Sequence, residues 1–178
     1  VRNGFSVFCG FLCLLVSSFA AADPDLSVVT PPGLEVPPGQ AQALMLHASG
    51  VLIYECQPKA SDPTKFEWVL KSFEADLYDY NSLPVGRYYA GPTWELDDGG
   101  KVIGRLKTTA DSPDGKGMPW QLFDVVQASG TIMGKIKSIR CVKTYGGKVP
   151  NEPATEARVG QESRAEFHAT YKFYAGKS

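Results

Sequence analysis

Histidine is scarce in this chain, cysteine is nearly absent beyond the first residues, and neither sign of charge is in excess. Two histidines, His47 and His168, in 178 residues supply no H-x-H or H-E-x-x-H cluster, so no metal is expected. Lys and Arg number 18 and Asp and Glu 19, a formal net charge of −1. That balance gives no electrostatic footprint for nucleic acid or for an anionic membrane. There is no G-x-S-x-G nucleophile elbow and no G-x-G-x-x-G between a strand and a helix. Gly115-Lys116-Gly117 has neither the spacing nor the Ser/Thr of a phosphate-binding loop. Asn3, Asn81 and Asn151 all lack the hydroxyl residue of a glycosylation sequon. These absences exclude the common nucleotide-dependent and serine-hydrolase classes, and no cofactor is expected. What remains is ordinary globular composition, 43% hydrophobic and 21% charged, rich in turn formers with 18 Gly and 13 Pro.

The one long apolar run comes first. Arg2 precedes residues 5–19, and Ala20-Ala21-Ala22 follows. A positive start, a short apolar stretch and small residues read as a secretory signal peptide over 1–22, with Asp23 the mature start. The run is shorter than the roughly 20 residues that span a bilayer. The expectation is therefore a secreted protein, extracellular or in the cell wall, with no membrane partner after cleavage. Cys9 and Cys13 leave with the leader. Cys56 and Cys141 remain, and two cysteines in a secreted chain predict one disulfide. It would close a long loop, worth roughly 4–5 kcal/mol in the chain-entropy model. Two free thiols or an intermolecular bridge are the alternatives. The oligomeric state is open.

Residues 23–41 hold five prolines and read as an extended lead-in rather than a core element. Residues 42–174 read as a single domain, with 175–178 a tail. Short β-like runs alternate with turn signals, which predicts an all-β, mostly antiparallel domain, a β-sandwich or small β-barrel with long loops and little helix. Residues 51–56 and 66–70 are strands, and 73–80 is a strand or a helical turn. Asp98-Gly99-Gly100 marks a hairpin loop with Gly supplying positive φ. Closed as a three-residue loop, it pairs Asp97 with Lys101 and sets Gly104 opposite Trp94. Trp94, Leu96, Val102 and Leu106 then share the apolar face, and Glu95, Asp97, Lys101 and Arg105 the polar one. Residues 120–126 match neither helical nor strand period cleanly and lean to strand. At the C-terminus Phe167, Ala169, Tyr171 and Phe173 alternate with His168, Thr170 and Lys172, the pattern of a half-buried strand.

Several segments taken together carry a resemblance. They are residues 50–56, the stretch Arg87-Tyr88-Tyr89-Ala90-Gly91-Pro92-Thr93-Trp94-Glu95, residues 98–104, Pro119-Trp120, residues 144–150 and residues 169–174. In this order they resemble the secreted domain-of-unknown-function family 3455, over about residues 30 to 174. The Ala-Gly-Pro-Thr-Trp-Glu segment is the most specific part. Tyr88 stands where family members often have His, so the resemblance brings no metal or acid–base role to that position. It implies no established activity either.

Chemistry must then be weighed residue by residue. Glu95 follows the Gly-Pro-Thr-Trp run and is a candidate acid. If its side of the strand lines a cleft, burial would raise its pKa. Otherwise it pairs with a cation across the strand. His168 or Tyr89 would complete an acid–base pair with it. Tyr89, Trp94, Trp120 and Tyr171 are rings suited to a sugar or a small organic ligand, or equally to a packed core. Tyr88 and Tyr89 point to opposite faces, so at most one of them lines a given site. The leading reading is an extracellular binding module for a carbohydrate or small organic ligand. A small extracellular enzyme using Glu95 with His168 or Tyr89 is the second, and a structural or stress-associated wall protein the third. Glu95, His168 and an aromatic in one pocket would favour the enzyme.

Overall fold

The computed structural model of the protein describes residues 30–177. The signal peptide expected over 1–22 lies outside the described residues. The chain runs through eight strands: β1 (Gln40–Lys59), β2 (Asp62–Tyr78), β3 (Pro84–Tyr89), β4 (Thr93–Leu96), β5 (Lys101–Ala110), β6 (Trp120–Ser129), β7 (Ile136–Gly146) and β8 (Glu162–Gly176). Each pairs antiparallel with the next, and β8 returns to β1, closing a barrel. The all-β expectation holds, and of sandwich and barrel it is the barrel. Residues 73–80 and 120–126 fall mainly in β2 and β6, as strand.

Alternation drives the closure. On β1 Leu46, Ala48, Leu52 and Tyr54 are buried; on β8 Phe167, Ala169, Tyr171 and Phe173 are. All belong to one interior cluster. The middle of the barrel is filled by rings. Tyr88 stacks on Phe73 and on Trp94, with centroids 4.7 Å apart in both cases. Trp94 meets Phe123 edge-on at 5.2 Å and Tyr171 at 5.3 Å. Gly104 makes room for the indole, because a Cβ there would lie 2.9 Å from Trp94 Cζ3. The interior cluster also takes in a methionine from each of two connections. Met133 sits in the short 3₁₀ turn Met133–Lys135 before β7. Met118 is carried by the loop after β5, whose backbone N–H donates to Gly146 O at 2.8 Å.

Four expectations are corrected. The lead-in is not merely extended. Leu34 is 0% exposed and packs with Trp120, Leu122 and Val142 in a second cluster. That cover explains why residues 120–126 show no clean period: the first part of β6 is buried on both faces, with Trp120 and Leu122 against Leu34 and Phe123 in the interior, while Val126 is exposed. On β8 Thr170, Lys172 and Tyr174 are buried opposite the barrel interior, and Arg140, which lies over the Tyr174 ring, donates from Nη1 to Thr30 Oγ1 of the lead-in at 3.2 Å.

The hairpin loop is longer than three residues. Glu95 pairs with Lys101 and Trp94 with Val102, two residues away from the expected register. A two-residue shift preserves the faces, so the inside–outside division survives. Leu96 N–H donates to Gly100 O at 2.7 Å, and Asp98 Oδ1 accepts from Gly100 N–H at 2.8 Å. Gly99 has φ +84°. Gly99→Val should cost about 1–2 kcal/mol, the penalty of a branched side chain in left-handed space; a denaturation midpoint equal to wild type would contradict the turn geometry.

Leu106 does not share the buried face of Trp94 and is 47% exposed. β4 pairs with β5 only as far as Ile103, and the β5–β6 register slips on either side of Gly104–Leu106. The residue therefore lies beyond the strand that would cover it.

The Cys56–Cys141 disulfide is not formed, and both cysteines are free and buried. Cys141 pairs with Tyr171, and Tyr171 with Leu46. That sets Cys141 level with Leu46, ten residues along β1 from Cys56, about 33 Å of extended strand. A disulfide needs Cα atoms within about 7 Å. Burial pushes the Cys141 thiol up to about 12, so it stays protonated and unreactive. Cys56 Sγ points at Thr155 O at 3.6 Å. Alkylation of the native protein should leave both residues unmodified, and after unfolding both should react. Peptides bearing a crosslink after non-reducing digestion would overturn this.

Candidate functional site

Strand register aligns outward residues from distant parts of the chain into one transverse row. His168 of β8 pairs with Ser49 of β1, and Ser49 with Asp76 of β2. Asp76 pairs with Arg87 of β3, Arg87 with Glu95 of β4, and Glu95 with Lys101 of β5. Tyr145 of β7 extends the row beyond His168. Seven strands at about 4.8 Å spacing make this belt about 29 Å long.

Along part of the belt the outer wall is grooved. A groove of about 560 Å³ is lined by Glu74, Asp76, Arg87, Tyr89, Glu95 and Arg164 over a floor that includes Gly50 and Ala75. Tyr89 Oη donates to Glu95 Oε2 at 2.6 Å, and Lys101 Nζ lies 2.9 Å from Glu95 Oε1. Arg164 pairs with Glu74 at 2.8 Å across the opposite rim. Arg87 stands between Asp76 and Glu95 and forms no ion pair among the described residues.

The electrostatics of Glu95 run opposite to the expectation of a raised pKa. The Tyr89 hydroxyl, and then Lys101, hold its carboxyl below the usual range. Its side chain is 39% exposed, so desolvation is outweighed. Glu95 is thus an ionised acceptor and not a proton donor near neutrality. The same contact raises the Tyr89 hydroxyl, which makes it a weaker acid. His168 is four strand spacings from Glu95 along the row, about 19 Å, and lines a different groove. Glu95 and His168 are not brought together as an acid–base pair.

The other ring candidates lie elsewhere. Trp94 and Tyr171 are 0% exposed in the barrel interior, the packing alternative. Among the described residues Trp94 Nε1 has no hydrogen-bond partner. Trp120 belongs to the Leu34 cluster. Of the expected ligand-binding residues, only Tyr89 and Glu95 meet in one groove. Sequence reasoning missed Ser49, Asp76 and Arg87, which become neighbours only through strand register. Their outward parity was visible, but their mutual alignment was not.

A closed meander barrel with a charged groove on its outer wall defines a structural class and not an activity. Within that class, the model of a protein family of unknown function, DUF3455, matches residues 80–175. The match covers more than half the chain, and the chain belongs to that family. No curated protein matches the chain, and no solved structure does.

Proposed function

We propose that the protein is an extracellular binding module that takes a carbohydrate on its outer wall, in the groove at Tyr89 and Glu95. The observation that carries this reading is the fixed carboxylate of Glu95 in register with Arg87, whose guanidinium forms no ion pair among the described residues. A carboxylate accepts from one hydroxyl of a sugar while a guanidinium donates to its neighbour, both as charge-assisted hydrogen bonds. The Tyr89–Glu95–Lys101 contacts hold the acceptor in place before the ligand arrives, which lowers the ordering cost of binding. The barrel interior supports the same reading by contrast, because the rings around Trp94 fill its middle layer. Catalysis by Glu95 and His168 lacks a shared site, and Glu95 with Tyr89 lacks a proton donor poised near neutral pH.

Glu95→Gln keeps the shape and removes the charge. It should leave the thermal melt unchanged and weaken sugar binding at least tenfold, measured by calorimetry after a screen of sugars and phenolics. A wild-type protein that binds only phenolics would contradict the carbohydrate reading, and so would sugar binding that Glu95→Gln leaves untouched.

A further inference from the structure

A second groove adjoins the first across β1, and Ser49 lines both. Its wall carries His47, His168, Lys143, Tyr78, Ser82 and Thr170, with no carboxylate among the lining residues. Both histidines of the chain therefore stand in one groove, on paired strands, with His47 Nδ1 3.2 Å from Thr170 Oγ1. Carboxylates neighbour the lining residues on two strands and a turn: Asp76 pairs with Ser49, Glu166 lies two residues before His168 on β8, and Asp79 follows Tyr78 with its Oδ1 accepting from Asn81 N–H and Leu83 N–H. Tyr145 is 62% exposed beside His168. The backbone supplies a separate observation. Among the described residues two non-glycine positions have left-handed φ, Ser82 at 61° and Lys143 at 51°. Both line this groove. Such conformations are costly and concentrate where a side chain must be held for a purpose. Lys143 owes its conformation to the break in β7–β8 pairing between Val142 and Tyr145.

We infer that this groove is a second subsite, which takes the carboxylate of an acidic sugar, so that the ligand is a uronic-acid oligosaccharide lying across both grooves. The inference rests on the carbohydrate reading of the Glu95 groove and specifies the ligand. Imidazole N–H groups are donors matched to a carboxylate, and no lining carboxylate competes for them. At the other end Glu95 and Arg87 address neutral hydroxyls. Strands are spaced at about 4.8 Å, so a chain running along the row presents successive units to successive strands. Two linked subsites raise affinity beyond either one by effective concentration.

The test uses galacturonic-acid oligomers from dimer to hexamer, and neutral xylose oligomers of the same lengths, in calorimetric titrations. Wild type should bind the acidic series more tightly with length, up to a plateau, and more tightly than the neutral series. The double variant His47→Ala/His168→Ala should lose about tenfold in affinity for the longer acidic oligomers and nothing for neutral ones. Glu95→Gln should weaken both series. Equal affinity for the two series, or acidic binding unchanged in the histidine variant, would overturn the second subsite while leaving the Glu95 groove standing. Oligomer binding insensitive to Glu95→Gln, or no binding of either series, would overturn the carbohydrate reading and the subsite with it.

Discussion

Trp94→Ala should destabilise the protein by about 3–5 kcal/mol, the range for removing a large buried ring. The indole is 0% exposed and touches four rings from three other strands, Tyr88, Phe123, Tyr171 and Phe173. Removing it leaves a hole that the closed sheet cannot collapse around, and it also unstacks Tyr88 from one of its two partners. A domain of this size has about 5–15 kcal/mol of stability in total, so the variant should unfold at a much lower denaturant concentration. If Trp94 instead lined a ligand cleft, truncation would cost little stability and abolish binding. A midpoint within experimental error of wild type would show the interior to be loosely packed.

Gly50→Ala should cost at least about 3 kcal/mol, at the upper end of overpacking penalties. A Cβ on Gly50 would lie 2.1 Å from Glu74 O and 2.4 Å from Ala75 Cα. Both obstacles are backbone of β2, which pairs with β1 at this level, so relief requires breaking the ladder. Gly50 also belongs to the floor of the groove, so a displacement of β2 would move Glu74 and Asp76. Gly176→Ala, where a Cβ meets nothing within 4 Å, serves as the control and should be close to neutral. A Gly50→Ala protein as stable as Gly176→Ala would mean that β1 and β2 do not approach so closely.

The architecture was legible in the sequence where one face of a strand meets core and the other meets water. The inside–outside split of Trp94 and Glu95 held, and so did the inward set Phe167, Ala169, Tyr171 and Phe173, but Thr170 and Lys172 on the other face of β8 are buried as well. The hairpin register was wrong by two residues because Asp98 and Gly100 extend the turn, and a two-residue error leaves the faces intact. Legibility failed where the barrel is covered on its outside. Leu34 packs on Trp120, Leu122 and Val142, so β6 lost its period and the proline-rich segment gave no sign of its anchoring leucine. The disulfide expectation rested on cysteine count and the expected secretory context, neither of which contains a distance. The site was legible in part. Tyr89 and Glu95 are six residues apart and share a face by alternation. Arg87, Asp76, Ser49 and His168 come from four strands whose alignment depends on bulges, including the register shift between Leu77 and Tyr78, and no local pattern encodes that.

The most direct test of the outer-wall account is a backbone amide chemical-shift map recorded while a uronic-acid oligomer is titrated into the labelled protein. The account predicts that shifts concentrate on Ser49, Asp76, Arg87, Glu95 and His168, residues that neighbour one another only through strand pairing, while Trp94, Phe123 and Phe173 in the interior stay unmoved. Shifts centred on those interior residues would contradict it, because they would place the ligand inside the barrel.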